Sequence, residues 1–269
     1  FSPATLHCVD VGPNTMTMTV VDNDNNTASC TANALVTDSV PPVALCLDAT
    51  VQLDGTGNAE ITSTDVDNGS SDACATLTFI LSGSSFTCAD VGANAVTLTV
   101  AGSDNLNGTC QAVITIEDNV PPSAVCNDIT VQLDALGQIT VTTGMVDNGS
   151  SDVCTGISLA LSPTGFDCSN VGNNSATLTA TDGYGNSATC LSQIMVSDTV
   201  RPNAVCQNAT IFLDNSGNIT ATATDIDAGS FDSCGIASQA VAPASFTCVE
   251  LGPNTTTLTI QDVNGNSSA

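Results

Sequence analysis

Apolar and polar positions alternate along most of this chain. Met16, Met18 and Val20 are interleaved with Thr17 and Thr19, and Ala176, Leu178 and Ala180 with Thr177 and Thr179. A period of two is that of a strand with one face buried. The same pattern predicts strands at 130–134, 139–143, 157–161 and 189–196. Turn residues separate them: Asp134 to Gln138, Val171-Gly172-Asn173, and Asp182 to Asn186. No amphipathic helical stretch is visible. About six or seven short strands, with turns roughly every 8–12 residues, predict an all-β sandwich. Phe86, Phe166 and Phe246 recur as its core anchors.

The pattern repeats. Cys46, Cys74, Cys88 and Cys110 return as Cys126, Cys154, Cys168 and Cys190, and again as Cys206, Cys234 and Cys248, with a period of 80 residues. Cys8 and Cys30 match Cys88 and Cys110. An internal repeat overrides any estimate of domain number from length. The predicted organisation is tandem Ig-like β-sandwich domains: the C-terminal half of a repeat at 1–38, full repeats at 39–118 and 119–198, and a repeat at 199–269 truncated before its last strand. The next cysteine in register would be residue 270, so a segment of a longer array is expected. Each repeat opens on a proline hinge, Pro41-Pro42, Pro121-Pro122 or Arg201-Pro202. Proline fixes φ and removes a donor, which makes a stiff connector.

Charge narrows the function. The chain carries 27 acidic residues, Arg201 as its single basic residue besides His7, and no lysine, for a net charge of −26. Nucleic-acid phosphates need Lys and Arg, and anionic membrane surfaces repel such a chain. No run approaches the ~20 apolar residues of a membrane span. Catalysis lacks its parts as well. His7 is the one histidine and no Ser–His pair falls within a repeat, so nucleophilic triads and His-based metal hydrolysis are unsupported. A non-enzymatic role is expected.

Thirteen cysteines without a Cys-x-x-Cys pair predict disulfides in an oxidising compartment rather than zinc. Small cores need such staples. Four cysteines per repeat allow three pairings. In an Ig-like sandwich the first and last strands run parallel, which favours Cys46–Cys110 and Cys126–Cys190. Cys74–Cys88, Cys154–Cys168 and Cys234–Cys248 then remain. A sequential pairing, Cys126–Cys154 with Cys168–Cys190, is the alternative.

One loop recurs in a single register. Asp147-Asn148-Gly149-Ser150-Ser151-Asp152 is preceded by Asp67 to Asp72 and followed by Asp227 to Asp232. In the predicted strand order three acidic features share one end of a unit. They are the linker acids Asp38, Asp118 and Asp198, the loop pairs Asp67/Asp72, Asp147/Asp152 and Asp227/Asp232, and the hairpin acids Asp182 and Asp262. Carboxylates with no cationic side chain repel one another, and Ca²⁺ takes 6–8 oxygen ligands. Interdomain Ca²⁺ is therefore the predicted cofactor, with these acids as its ligands. The hairpin at Gly102 to Gly108 departs from the others and is expected to bind differently. The competing reading is that Asp and Ser only satisfy turn backbone.

The stretches Asp118 to Cys126, Asp147 to Cys154 and Ala180 to Cys190 together resemble hyalin (HYR-type) repeats. The likeness is to tandem arrays in secreted surface and gliding adhesins of Bacteroidota, and it spans the whole chain. It implies an Ig-like fold, an extracellular cell-surface location, and a structural or adhesive role in a stalk or filament. The implied partners are neighbouring repeats of the same chain, with lateral self-assembly through Thr-rich edges or contact with a host or environmental surface. A glycan- or protein-binding module is the alternative. It calls for an aromatic-bearing surface, and Tyr184 is the one aromatic besides phenylalanine.

Overall fold

A computed structural model describes residues 2–269. The chain forms two compact units. One runs to Val120 and includes Val153–Thr155; the other holds Pro121–Asp152 and Gly156–Ala269.

In the first unit, β1 (Gly12–Val21) and β2 (Thr27–Val36) form an antiparallel hairpin. Six strands follow: β3 (Ala49–Gln52), β4 (Asn58–Glu60), β5 (Leu77–Leu81), β6 (Ser85–Thr87), β7 (Gly92–Gly102) and β8 (Asn107–Glu117). They make a four-stranded sheet in the order β3-β8-β7-β5 and a two-stranded sheet of β4 and β6. The first strand lies parallel to the last, with Ala49 opposite Ile114. This is a β-sandwich. Its alternation is what the sequence carries: Val96, Leu98 and Val100 of β7 and Ala112, Ile114 and Ile116 of β8 are buried, and they meet Ala59 of β4 and Phe86 of β6.

The second unit repeats this plan. It contains β9 (Ile129–Gln132), β10 (Gln138–Thr140), β11 (Ser158–Ser162), β12 (Gly165–Asp167), β13 (Gly172–Thr181) and β14 (Ser187–Ser197). β9 runs parallel to β14 at the edge of the sheet β11-β13-β14-β9. A partial copy follows: β15 (Asn218–Thr220), β16 (Ile236–Ala242), β17 (Ser245–Thr247), β18 (Thr257–Asp262) and β19 (Ser267–Ser268). Phe166 and Phe246 are buried like Phe86.

Two local features were not expected. Single helical turns at Ser63–Val66, Thr143–Val146 and Ala223–Ile226 replace the ends of the second predicted strands. Each buries one apolar residue, Val66, Val146 or Ile226, and so closes the core between the sheets. The Val171-Gly172-Asn173 turn instead opens β13, because the chain has already reversed in a 3₁₀ turn at Cys168–Asn170.

Candidate metal centre and the disulfide registers

Five disulfides join described residues. Cys46–Cys110 and Cys126–Cys190 each close a loop within one repeat, at a separation of 64 residues. They follow from the parallel first and last strands, which set Cys46 and Cys126 beside β8 and β14. The other three, Cys8–Cys74, Cys88–Cys154 and Cys168–Cys234, have a separation of 66 and link one repeat to the next. Cys74–Cys88, Cys154–Cys168 and Cys234–Cys248 are therefore not formed; Cys30, Cys206 and Cys248 are free thiols.

Strand length explains the correction. Thr76 O accepts from Ser103 N, so Cys74 lies at the hairpin end of β7. Cys88 opens the 3₁₀ turn that precedes β7. An eleven-residue strand separates these ends by roughly 35 Å at ~3.3 Å per residue. A disulfide needs Cα atoms within about 7 Å. The tail-end cysteine of one repeat instead meets the head-end loop of the following one. In the second unit this brings Cys168 to Cys234, and in the first Cys8 to Cys74. Three glycines make room for the tail-end sulfurs. A Cβ on Gly57, Gly137 or Gly217 would lie 2.6, 2.6 or 2.8 Å from Sγ of Cys88, Cys168 or Cys248, and all three have positive φ.

The acidic residues divide into two groups. Asp67, Asp147 and Asp227 brace their own loops. Oδ1 of each accepts from the backbone N of Ser70, Ser150 or Ser230 at 2.9–3.0 Å. Those serine hydroxyls in turn accept from Leu45, Val125 and Val205 N, all at 2.9 Å. Hydrogen bonds from the Ser70, Ser150 and Ser230 side chains and from loop amides hold all three carboxyls below the usual Asp range. These acids serve the turn backbone.

The second group sits where repeats meet. In the second unit, carboxylate oxygens of Asp198 and Asp232 lie within 4.8 Å of each other, next to Cys234. Cys234 is committed to its disulfide and offers no thiolate. The last hairpin closes on the same place: Asn264 Nδ2 donates to Asp198 Oδ2 at 2.7 Å and Asn266 Nδ2 to Asp198 O at 3.1 Å. Asp262, fully buried, accepts from Asn264 N, Asn266 N and Asn266 Nδ2. Asp182 makes the matching turn with Tyr184 and Asn186. Burial pushes the Asp182 carboxyl up, but the Asn186 side chain and the turn amides outweigh this and leave it below the usual range. Asp118 is buried and accepts from Val120 N, while Asp152 is half-buried.

The first unit shows the variant hairpin. Residue 102 is Gly where its counterparts, Asp182 and Asp262, are acids. A Cβ there would lie 2.4 Å from Asp104 Oδ1, so Asp104 has swung into the vacated space. Its Oδ1 accepts from Leu106 N. Its Oδ2 is enclosed and accepts no hydrogen bond among the described residues. Asp104 lines a cleft of about 120 Å³ with Ser103, Ala75, Cys74, Asp38 and Val11. Asp72 caps the adjoining turn through Cys74 N and Ala75 N. The sequence pattern overlooked Asp104. Its signal was an acid two residues late, before Asn105 at φ 66°.

Ca²⁺ fits this donor chemistry. The junction carboxylates are hard oxygen donors, and Asp104 Oδ2 is an enclosed acceptor lacking a donor. A larger cleft, about 690 Å³, lies between residues 206–213 and 246–256. In the earlier repeats this part of the core holds Ile114 and Ile116, or Ile194 and Val196. By that correspondence the cleft falls at core positions of the repeat.

No family model matches the chain, and no curated protein does. Among solved structures it is similar to protocadherin ectodomains. Extracellular cadherin domains 1–4 of protocadherin gamma B7 show 13% identity over 97% of this chain and 82% of that one, with a TM-score of 0.36. Human protocadherin-24 EC1-2 shows 12% identity over 60% of this chain and 100% of that one, with a TM-score of 0.34. These values describe a low degree of superposition and assign the chain neither a family nor a function.

Proposed function

We propose that this chain is a non-enzymatic structural segment of an extracellular surface adhesin, stalk or filament. In this reading the repeats 39–118 and 119–198 are its units, with partial units at 1–38 and 199–269. Ca²⁺ at the junctions neutralises acids that would otherwise repel. The observation that carries the reading is the disulfide register of 66 residues, which ties the tail of one repeat to the acidic loop of the next. Such bonds persist in an oxidising, extracellular setting. They make the neighbouring repeat each repeat's principal partner. The HYR-like motifs agree with a secreted surface array. The chemistry available to the chain, one histidine and no lysine, supports the non-enzymatic part.

Ca²⁺ at the junctions would draw on Asp198 and Asp232 in one unit, and on Asp38 and Asp104 in the other. Thermal unfolding of the oxidised chain in millimolar CaCl₂ and in EGTA tests this. The reading predicts a higher melting temperature with Ca²⁺, unmatched by Mg²⁺ at equal ionic strength, and loss of the difference in D198N/D232N with D104N. Equal melting curves with and without Ca²⁺ would leave the acids as turn caps with no calcium role.

A further inference from the structure

We propose that the two disulfide registers turn the oxidised array into a covalent ladder with two rails, which stays in one piece when its backbone is cut and which limits its own extension. One rail runs through Cys8–Cys74, backbone 74–88, Cys88–Cys154, backbone 154–168, and Cys168–Cys234. The other runs through backbone 30–46, Cys46–Cys110, backbone 110–126, Cys126–Cys190, and backbone 190–206. The rails share no peptide bond. As a result, every backbone bond between Cys8 and Cys234 is spanned by at least one disulfide.

Two consequences follow from connectivity alone. A protease that cuts any exposed loop, linker or hairpin in that interval leaves both products joined. Tension is also diverted. The shortest covalent route from Cys8 to Cys234 uses two 14-residue backbone segments and three disulfides, a taut length of roughly 110 Å at ~3.4 Å per residue. The reduced backbone over the same interval reaches roughly 770 Å. Oxidised repeats therefore cannot pay out their length one at a time. A surface segment exposed to shear and proteases gains from both properties, and neither depends on calcium or on the adhesive reading.

The sequence offers a clean test. Trypsin cuts after Lys and Arg, and the one such residue, Arg201, precedes Pro202, so the chain has no ordinary tryptic site. Asn119→Lys places one in the exposed linker, where Cys88–Cys154 alone spans the new scissile bond. Thr199→Lys does the same under Cys168–Cys234. Free thiols are blocked first, then the full chain is denatured in urea without reductant and digested. The ladder predicts one full-length band on a non-reducing gel and two fragments after reduction, for both variants. It also predicts separation without reductant when Asn119→Lys is combined with Cys88→Ser and Cys154→Ser. Two fragments from either single variant on the non-reducing gel would overturn the proposal, because pairing confined to single repeats leaves both linkers unspanned.

Discussion

Removing Cys126–Cys190 by replacing both cysteines with serine should cost about 4 kcal/mol. The bond closes a loop at a sequence separation of 64 residues. In the chain-entropy model, a loop of that size restricts the unfolded chain by about 4.3 kcal/mol at 25 °C. The native state offers little to offset the loss. The bond anchors the segment before β9 to β14, and β9 itself pairs with β14 over only four residue pairs, Ile129 to Gln132. For a unit of this size the melting temperature should fall by roughly 15 °C. Urea unfolding of oxidised wild type and double mutant, read by far-ultraviolet circular dichroism with free thiols blocked, gives the free-energy difference. The slope should rise, since the unfolded chain without the cross-link is less compact and exposes more surface. A loss below about 1 kcal/mol would overturn this estimate, which rests on loop closure: the unfolded chain would then be restricted already without the bond.

Three further outcomes are expected. The carboxyls of Asp67, Asp147 and Asp227 lie below their ordinary range in the fold. Their contribution is therefore present above the unfolded Asp pKa of ~3.9 and lost as pH falls through the lower folded values. Acid titration should show stability level above about pH 5 and falling below about pH 4, and Ser150→Ala should move the acid midpoint upward; an unmoved midpoint counts against the Ser150 bond. Gly137→Ala should destabilise by about 2 kcal/mol, combining a left-handed backbone position with crowding, and should slow formation of Cys168–Cys234, which thiol trapping during refolding would measure. Asp104→Asn should stabilise the chain in EGTA, because it removes the charge on an enclosed oxygen that accepts no hydrogen bond among the described residues, and should weaken the calcium-dependent rise in melting temperature; destabilisation in EGTA would argue against an orphaned oxygen.

The fold was legible because alternation and turns repeat. Val96, Leu98 and Val100 alternate with polar or small residues in the sequence, and the β7 burial pattern is that one face. The parallel edge strand was legible too, and it brings Cys46 to Cys110. The second disulfide register was not. A strict period names a cysteine only by its place within the repeat, so Cys88 to Cys74 and Cys88 to Cys154 are one and the same pairing in that description. Only the length of β7, with Cys74 at one end and Cys88 at the other, separates them. The acidic loop showed a similar limit. Composition and spacing group Asp67 with Asp72 and Asp227 with Asp232, yet Asp67 and Asp227 brace Ser70 and Ser230, whereas Asp72 and Asp232 cap the turn at Cys74 and Cys234, and Asp232 also lies beside Asp198. That division depends on which backbone amides are within reach. Asp104 was hidden for a different reason: from another position in the sequence its Oδ1 takes the Leu106 amide, as Asp182 and Asp262 take those of Asn186 and Asn266.

A disulfide map of the intact oxidised chain decides between the two registers. Peptic digestion at acid pH, where thiol exchange is slow, followed by mass spectrometry without reductant would identify the linked peptides. Linkage between successive repeats requires Cys8 with Cys74, Cys88 with Cys154 and Cys168 with Cys234, alongside Cys46–Cys110 and Cys126–Cys190. Peptides joining Cys74 to Cys88 and Cys154 to Cys168 would contradict it, and successive repeats would then be held together by their proline linkers alone.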